Sequence, residues 1–302
     1  MPPLRIVLLG LALAGALGCS KPPEPAFRDA SEADAALRKL CKTEYQFDVV
    51  TNAVGKTLWL YLPLEKPIFE FALKDKPPEE KENKEQRGAP PAWMVLSFDS
   101  QFREKTFFIE YDIVEATKPS RPYHESVSPT FTETFTEAEN HLLTAVTRTH
   151  FELKDPKAAP DFVVLVIADV LKGVAVKETF ALEDLKKVSV DALPQEEFMK
   201  RFLQESFGLK GLVGDKRGLS LDYKEVAWSA FLSEQITNRV YFKFQQSDFP
   251  PGPDAGDEVL KIVAQTVGDY QFNDFGQVKL TDLRAKKEYL FQKEQLKTFA
   301  PQ

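Results

Sequence analysis

Apolar positions recur along this chain with two periods, one helical and one alternating, and the two kinds of segment are interspersed. Leu37, Leu40, Cys41 and Tyr45 follow helical spacing, which predicts an amphipathic helix over residues 31–45. Residues 47–50 and 57–64 have strand patterns, with a turn expected at 52–55. Residues 93–98 and 106–114 read as an antiparallel pair joined by turn-like residues between them. Thr136 and Glu139 have capping-box spacing for a helix to about His150, with Leu142, Leu143 and Val146 as its buried stripe.

The longest apolar run, residues 161–170, predicts a central strand covered on both faces. Residues 174–182, beyond a turn at Gly173, alternate as a hairpin partner with one wet face. Pro194 opens a predicted helix that turns Phe198, Phe202 and Leu203 inward. Asp222 and Glu225 are expected to cap a helix carrying Val226, Ala230 and Phe231 to about Asn238. Asp257 starts another, with Val259, Val263, Val267 and Tyr270 on one stripe, before a strand at 277–280. The expected fold is therefore α+β, a mixed or mainly antiparallel sheet with amphipathic helices packed on it. Tyr45-Gln46-Phe47-Asp48 and Tyr270-Gln271-Phe272-Asn273 are an internal echo, each leading from a helix into a strand, and His150-Phe151-Glu152 has a similar position.

The N-terminus departs from this alternation. One positive charge, Arg5, precedes an apolar and small-residue run over 6–17. A dozen residues rise roughly 18 Å as a helix, short of a ~30 Å hydrocarbon core, so a signal-peptide core fits better than a membrane span. The run ends in Ala16-Leu17-Gly18-Cys19, which resembles the lipobox of bacterial lipoprotein precursors, with Ala16 where Leu is usual. The resemblance covers residues 1–19 only. It implies cleavage before Cys19, lipid attachment at Cys19 and a membrane-anchored protein of the cell envelope. Ser20 stands where an Asp would resemble the inner-membrane retention signal, so the expected location in a Gram-negative cell is the outer membrane, facing the periplasm. The domain plan is then a signal peptide at 1–18, a lipidated cysteine and Pro-rich spacer at 19–30, and an α+β globular region at 31–302. Two subdomains with a boundary near 115–135 fit its length, and residues 74–91, dominated by charge and Pro, read as a mobile loop.

Composition narrows the partners. The formal charge is −7, and basic residues are dispersed among acids, so neither a nucleic-acid footprint nor a general polybasic grip on anionic lipid is expected. With two cysteines in the whole chain and Cys19 acylated, Cys41 has no intrachain partner and reads as a buried thiol.

The chemical inventory is thin. Gly55-Lys56-Thr57 ends like a phosphate-binding loop, but position 50 is Val and a strand follows, so a hairpin turn accounts for it. Residues 208–218 are Gly-rich without the dinucleotide-binding pattern, and are read as a connection between two helices. The three histidines, His124, His141 and His150, have no metal-ligand spacing, and no cofactor or metal is expected. No serine has a nucleophile motif. Acid pairs such as Glu110 with Asp112, or Asp169 with Glu178, are as well explained by strand faces and ends. No catalytic residue is assigned. The leading reading is a non-enzymatic interaction or assembly module with an envelope protein partner. The alternatives are a lipid- or solute-binding lipoprotein with an apolar cavity, and a carboxylate-based periplasmic hydrolase.

The lipobox reading makes one direct prediction. Cys19→Ala abolishes acylation and releases the protein from membranes, measured by palmitate-analogue labelling and fractionation; a variant that still takes the label overturns it.

Overall fold

The computed structural model describes residues 27–72, 93–116, 128–151, 153–244 and 255–299. All eight residues of Phe162–Asp169 (β7) are buried, and this strand lies at the centre of a five-stranded sheet. Its neighbours are Thr57–Leu64 (β2), parallel to it, and Val174–Ala181 (β8), antiparallel. Val50–Val54 (β1) and Leu203–Gly208 (β9) are the edges, giving the order β1-β2-β7-β8-β9.

One face of this sheet is covered by helices Ala30–Glu44 (α1) and Glu133–His150 (α2), with Leu182–Ser189 (α3) and Gln195–Lys200 (α4) alongside. Side-chain caps start the first two: Asp29 accepts the Glu32 N–H at 2.9 Å, and Thr132 accepts that of Phe135 at 3.2 Å. The other face carries Trp59, Tyr61, Val164 and Val166. It is roofed by chain from the 209–226 stretch, fastened by Trp59 Nε1 donating to the Lys224 carbonyl at 2.8 Å and Tyr61 OH to the Asp215 carbonyl at 2.5 Å.

A second sheet has the order β11-β10-β5-β4. Its strands are Trp93–Arg103 (β4), Thr106–Ala116 (β5), Gln277–Asp282 (β10) and Lys287–Gln292 (β11). β4 and β5 are antiparallel across Glu104 and Lys105, which both take positive φ, and β10 joins β5 in parallel. Trp228–Phe244 (α5) and Ala255–Asp269 (α6) close a core around Phe107, Ile109, Ile236 and Val263. Phe69–Ala72 (β3) pairs with Ser128–Phe131 (β6), and Lys293–Leu296 (α7) follows β11. The α+β class and the mixed sheets are those expected.

Several elements differ in extent. β1 runs through Asn52 to Val54, and the turn is confined to Gly55 (φ 56°) and Lys56, because Asn52 pairs opposite Trp59. α2 begins one turn before Thr136, since Thr132 caps it and Phe135 is already buried. The wet face expected of β8 is only partial: Lys177 is partly exposed on it, Ala175 on the same face lies under the second layer, and Val176 and Phe180 lie under the helices. Phe202 and Leu203 are buried as expected but lie past the end of α4, where Leu203 opens β9. Asp222 and Glu225 cap nothing; the chain stays extended to Trp228 because Val226 N–H is held by Thr57 Oγ1 at 2.8 Å. The helix itself continues past Asn238 to Phe244. The expected loop at 74–91 lies outside the described residues, as does most of that at 118–130.

The echoed tripeptides share a device. Gln46 (φ 60°) and Gln271 (φ 50°) are left-handed, and the next residue reaches back to the helix: Phe47 N–H to the Cys41 carbonyl at 3.0 Å, Phe272 N–H to that of Val267 at 2.9 Å. Each then leads into a hairpin. After α2, Phe151 stays right-handed at φ −77°, so the third member lacks the feature.

The two sheets meet at a buried ion network. Arg201, between α4 and β9, reaches Asp184 (3.2 Å), Glu197 (3.0 Å) and Asp269 (3.2 Å), while Arg239 of α5 reaches Asp269 at 2.8 Å and Glu197 at 3.3 Å. Tyr270 OH donates to Asp184 at 2.6 Å. Burial raises the Asp184 carboxyl above its ordinary value, and Tyr270 and Arg201 oppose that rise. Removing one member of such a network strands its partners. Arg201→Met is therefore expected to cost about 3–5 kcal/mol, read from urea unfolding; a loss below about 1 kcal/mol would contradict this account.

Candidate functional site

Cys19, the one residue to which the sequence assigns chemistry, lies outside the described residues, as does His124. The described chain begins at Phe27, which forms a β-bridge with Leu153. Cys41 is buried on α1, and burial pushes its thiol up to about 11, the state of an unreactive core thiol.

Among the described residues a cleft of about 340 Å³ lies where the two sheets adjoin. Its floor is the face of β8 and β9 that bears Lys177 and Thr179, with Glu205 directly opposite Lys177 and Leu203 opposite Thr179 in the strand register. Its walls bring Asp99 and Ser100 from β4 and Glu234, Thr237 and Asn238 from α5. Lys177 pairs with Glu205 across the strands. Burial raises the Glu234 carboxyl; Lys177 opposes the rise and Glu205 reinforces it. The cleft thus offers a fixed cation, a paired carboxylate, a second carboxyl inclined to hold its proton, and neutral hydroxyl and amide groups. Such a lining suits a polar ligand or an extended peptide. No short motif contains it, because its residues come from four elements.

The acid pairs singled out in the sequence do not assemble. Asp169 is buried and accepts the N–H groups of Leu171 (3.0 Å) and Lys172 (3.1 Å), closing the β7–β8 turn. Glu178 lies farther along that hairpin, opposite Leu165 rather than Asp169. Glu110 is exposed opposite Asp99, and Asp112 lies opposite Ser97. The carboxyl that Glu178 does meet is Glu139 of α2. Burial and the Glu139 charge push Glu178 well above its ordinary range, while the amide of Gln204, donating at 2.7 Å, works against the shift. Burial moves Glu139 to about 7. This pair under the helices is closed to solvent on the Glu178 side, where the residue is 1% exposed.

The two described histidines, His141 and His150, are structural. His141 stacks on Tyr45 at 4.1 Å, and buried His150 has Nε2 2.9 Å from Asp34 and Nδ1 2.8 Å from Thr149 Oγ1. Among the described residues no group of three or more His, Cys, Asp or Glu converges as a metal site. Gly55-Lys56 is the hairpin turn expected; Lys56 N–H donates to Glu225 at 2.8 Å and its ammonium to the Ala159 carbonyl at 3.2 Å. Residues 208–218 follow β9 rather than joining two helices, which corrects the sequence reading of their context. Asp215 ties this stretch together, accepting from Arg217 N–H (3.0 Å), Ser220 N–H (2.9 Å) and Ser220 Oγ (2.5 Å).

Comparison of the chain with protein-family models, with curated proteins and with solved structures finds no match in any of the three.

The Glu139–Glu178 pair has a pH signature. A carboxyl whose folded-state value is raised binds its proton more tightly folded than unfolded, so stability is full below about 4.5 and falls as the pH rises through about 7. Glu178→Gln is expected to flatten that decline and to raise stability at pH 8, measured by urea unfolding across the pH range. An unchanged pH profile would contradict a raised Glu178 carboxyl.

Proposed function

We propose that this chain is a membrane-anchored envelope lipoprotein whose α+β body is a non-enzymatic interaction module for an envelope protein partner. The anchoring part rests on the leader and Cys19. The observation that supports the interaction part is the cleft bordered by β9, the last strand of its sheet, with Gln204, Glu205 and Ser206 exposed along it. An edge strand beside a polar cleft suits an extended segment that adds main-chain hydrogen bonds, while Lys177, Glu205 and Glu234 select its side chains.

A carboxylate-based hydrolase is favoured by one feature of the same cleft, the raised Glu234 beside further acids at Asp99 and Glu205. In its present arrangement Glu205 is engaged by Lys177. The polar lining does not suit the apolar ligand of a lipid carrier.

A photo-cross-linking residue at position 238, in the wall of the cleft, distinguishes these. In intact cells the interaction reading expects a discrete protein adduct from Asn238, lost when Lys177→Glu reverses the charge of the floor and absent from the same probe at Lys39 on α1. Equal adducts from both positions, or none from Asn238, overturn it. Cleavage of an envelope glycan or peptide that disappears in Glu234→Gln would establish the hydrolase instead.

A further inference from the structure

At the end of the five-stranded sheet away from the start of β7, four large aliphatic side chains face outward: Leu171 (63% exposed), Leu209 (42%), Val213 (57%) and Leu219 (72%). Three tight segments carry them to one place. Leu209 N–H donates to the Gly173 carbonyl at 2.9 Å, and Gly214 N–H to the Val170 carbonyl at 2.8 Å, which joins residues 209–214 to the β7–β8 turn. A side-chain carbon at Gly173 would meet Val213 at 2.8 Å, and one at Gly211 would meet Ser220 at 2.9 Å, next to Leu219. Both Gly173 (φ 69°) and Gly214 (φ 74°) hold conformations that suit glycine, so the exposure belongs to an ordered surface.

Cations outnumber acids among the exposed charges around these side chains, Glu65 being an exposed acid there. Lys172, Lys210, Lys216 and Arg217 are exposed among them, and Lys66 lies beside Glu65, which pairs with Lys216. The acids of these two segments are turned inward: Asp169 is spent on the backbone of the β7–β8 turn, and Asp215 on Arg217 and Ser220. A chain of formal charge −7 therefore presents a local cationic, aliphatic end. Exposed aliphatics at loop tips with interleaved Lys and Arg fit the boundary of an anionic bilayer, where the aliphatics enter the acyl edge and the cations meet phosphates.

We infer that this end of the sheet, formed by the β7–β8 turn and residues 209–219, is a contact surface for an anionic lipid bilayer. It is separate from the cleft and from Cys19. The body is joined to its N-terminal spacer at Phe27, bridged to Leu153 ahead of β7, while the lipid surface lies at the far end of that strand. Eight strand residues span about 26 Å, within the reach of an extended segment of the length between Cys19 and Phe27. Both contacts can therefore rest on one bilayer and hold the body along it rather than on a free tether.

The test uses the full chain with Val213→Cys, labelled there with an environment-sensitive dye, since buried Cys41 is shielded from the reagent. The dye is read with vesicles of phosphatidylcholine alone or with one third phosphatidylglycerol. The expected result is a blue shift and quenching by brominated acyl chains on the anionic vesicles. The apparent affinity should be at least fivefold weaker in K210E/R217E, and the same dye at Lys39→Cys should not respond. Repeating the series in Cys19→Ala should leave the Val213 response intact, which separates it from the anchor. No response at Val213, an equal response at Lys39, indifference to charge reversal, or a concentration-dependent shift without vesicles, indicating copy–copy contact, would each overturn the inference.

Discussion

A strand with no exposed residue imposes requirements on everything around it. β7 buries all eight of its side chains, four to each face, and is flanked by a parallel neighbour on one side and an antiparallel one on the other. Both faces must be roofed, and burying a large aliphatic side chain contributes roughly 1.5–3 kcal/mol that would be lost if either roof were missing. Helices form one roof, with α1 and α2 placing Leu37, Cys41, Leu142 and Val146 over the sheet. An irregular segment forms the other, held by hydrogen bonds from Trp59 and Tyr61 because it has no repeating backbone pattern of its own. That segment shapes the outward-facing aliphatic end, and its continuation into α5 forms the cleft wall. Surface features on two sides of the molecule thus derive from the need to cover one strand.

The second sheet is attached by chemistry of a different kind. Phe162, Ala181, Leu203 and Phe231 form a small apolar contact, but beside it lies the network of Arg201, Arg239, Asp184, Glu197 and Asp269. Buried ions give a joint orientational specificity, because their geometry must be met before their desolvation is offset. The cleft depends on this joint, since its floor belongs to one sheet and its walls to the other.

Legibility in the sequence followed the length scale of each signal. The class, the central strand and the helix stripes were readable because burial writes a period into contiguous residues, as in residues 161–170 or Val259, Val263 and Val267. Three short elements of six to eight residues were not. α3, β9 and β11 were missed, and the residues at 203–208 were given to a helix and a loop because an edge strand with exposed Gln204, Glu205 and Ser206 shows almost no alternation. Capping boxes misled where tertiary partners won: Glu225 spends its carboxylate on Lys56 N–H, and Thr132 replaces Thr136. The cleft was illegible for a plainer reason. Lys177 and Glu205 are joined only by strand register, Asp99 and Glu234 only by the packing of α5 on β4, and the two pairs only by the docking of the sheets.

The order in which these parts are made has its own consequence. β5 pairs with β10, and the hydrogen bond between Gln277 and Thr106 closes a loop of 171 residues. The apolar face of the β4–β5 hairpin, with Phe107 and Ile109, is covered by α5, α6 and β10, all from the last quarter or so of the chain. A polypeptide emerging N-terminus first would therefore display a long aromatic hairpin well before its cover exists. Such topology has high contact order, which slows folding. Until residues 228–282 are available, the aromatic face of that hairpin is the part of the chain most open to association with other chains.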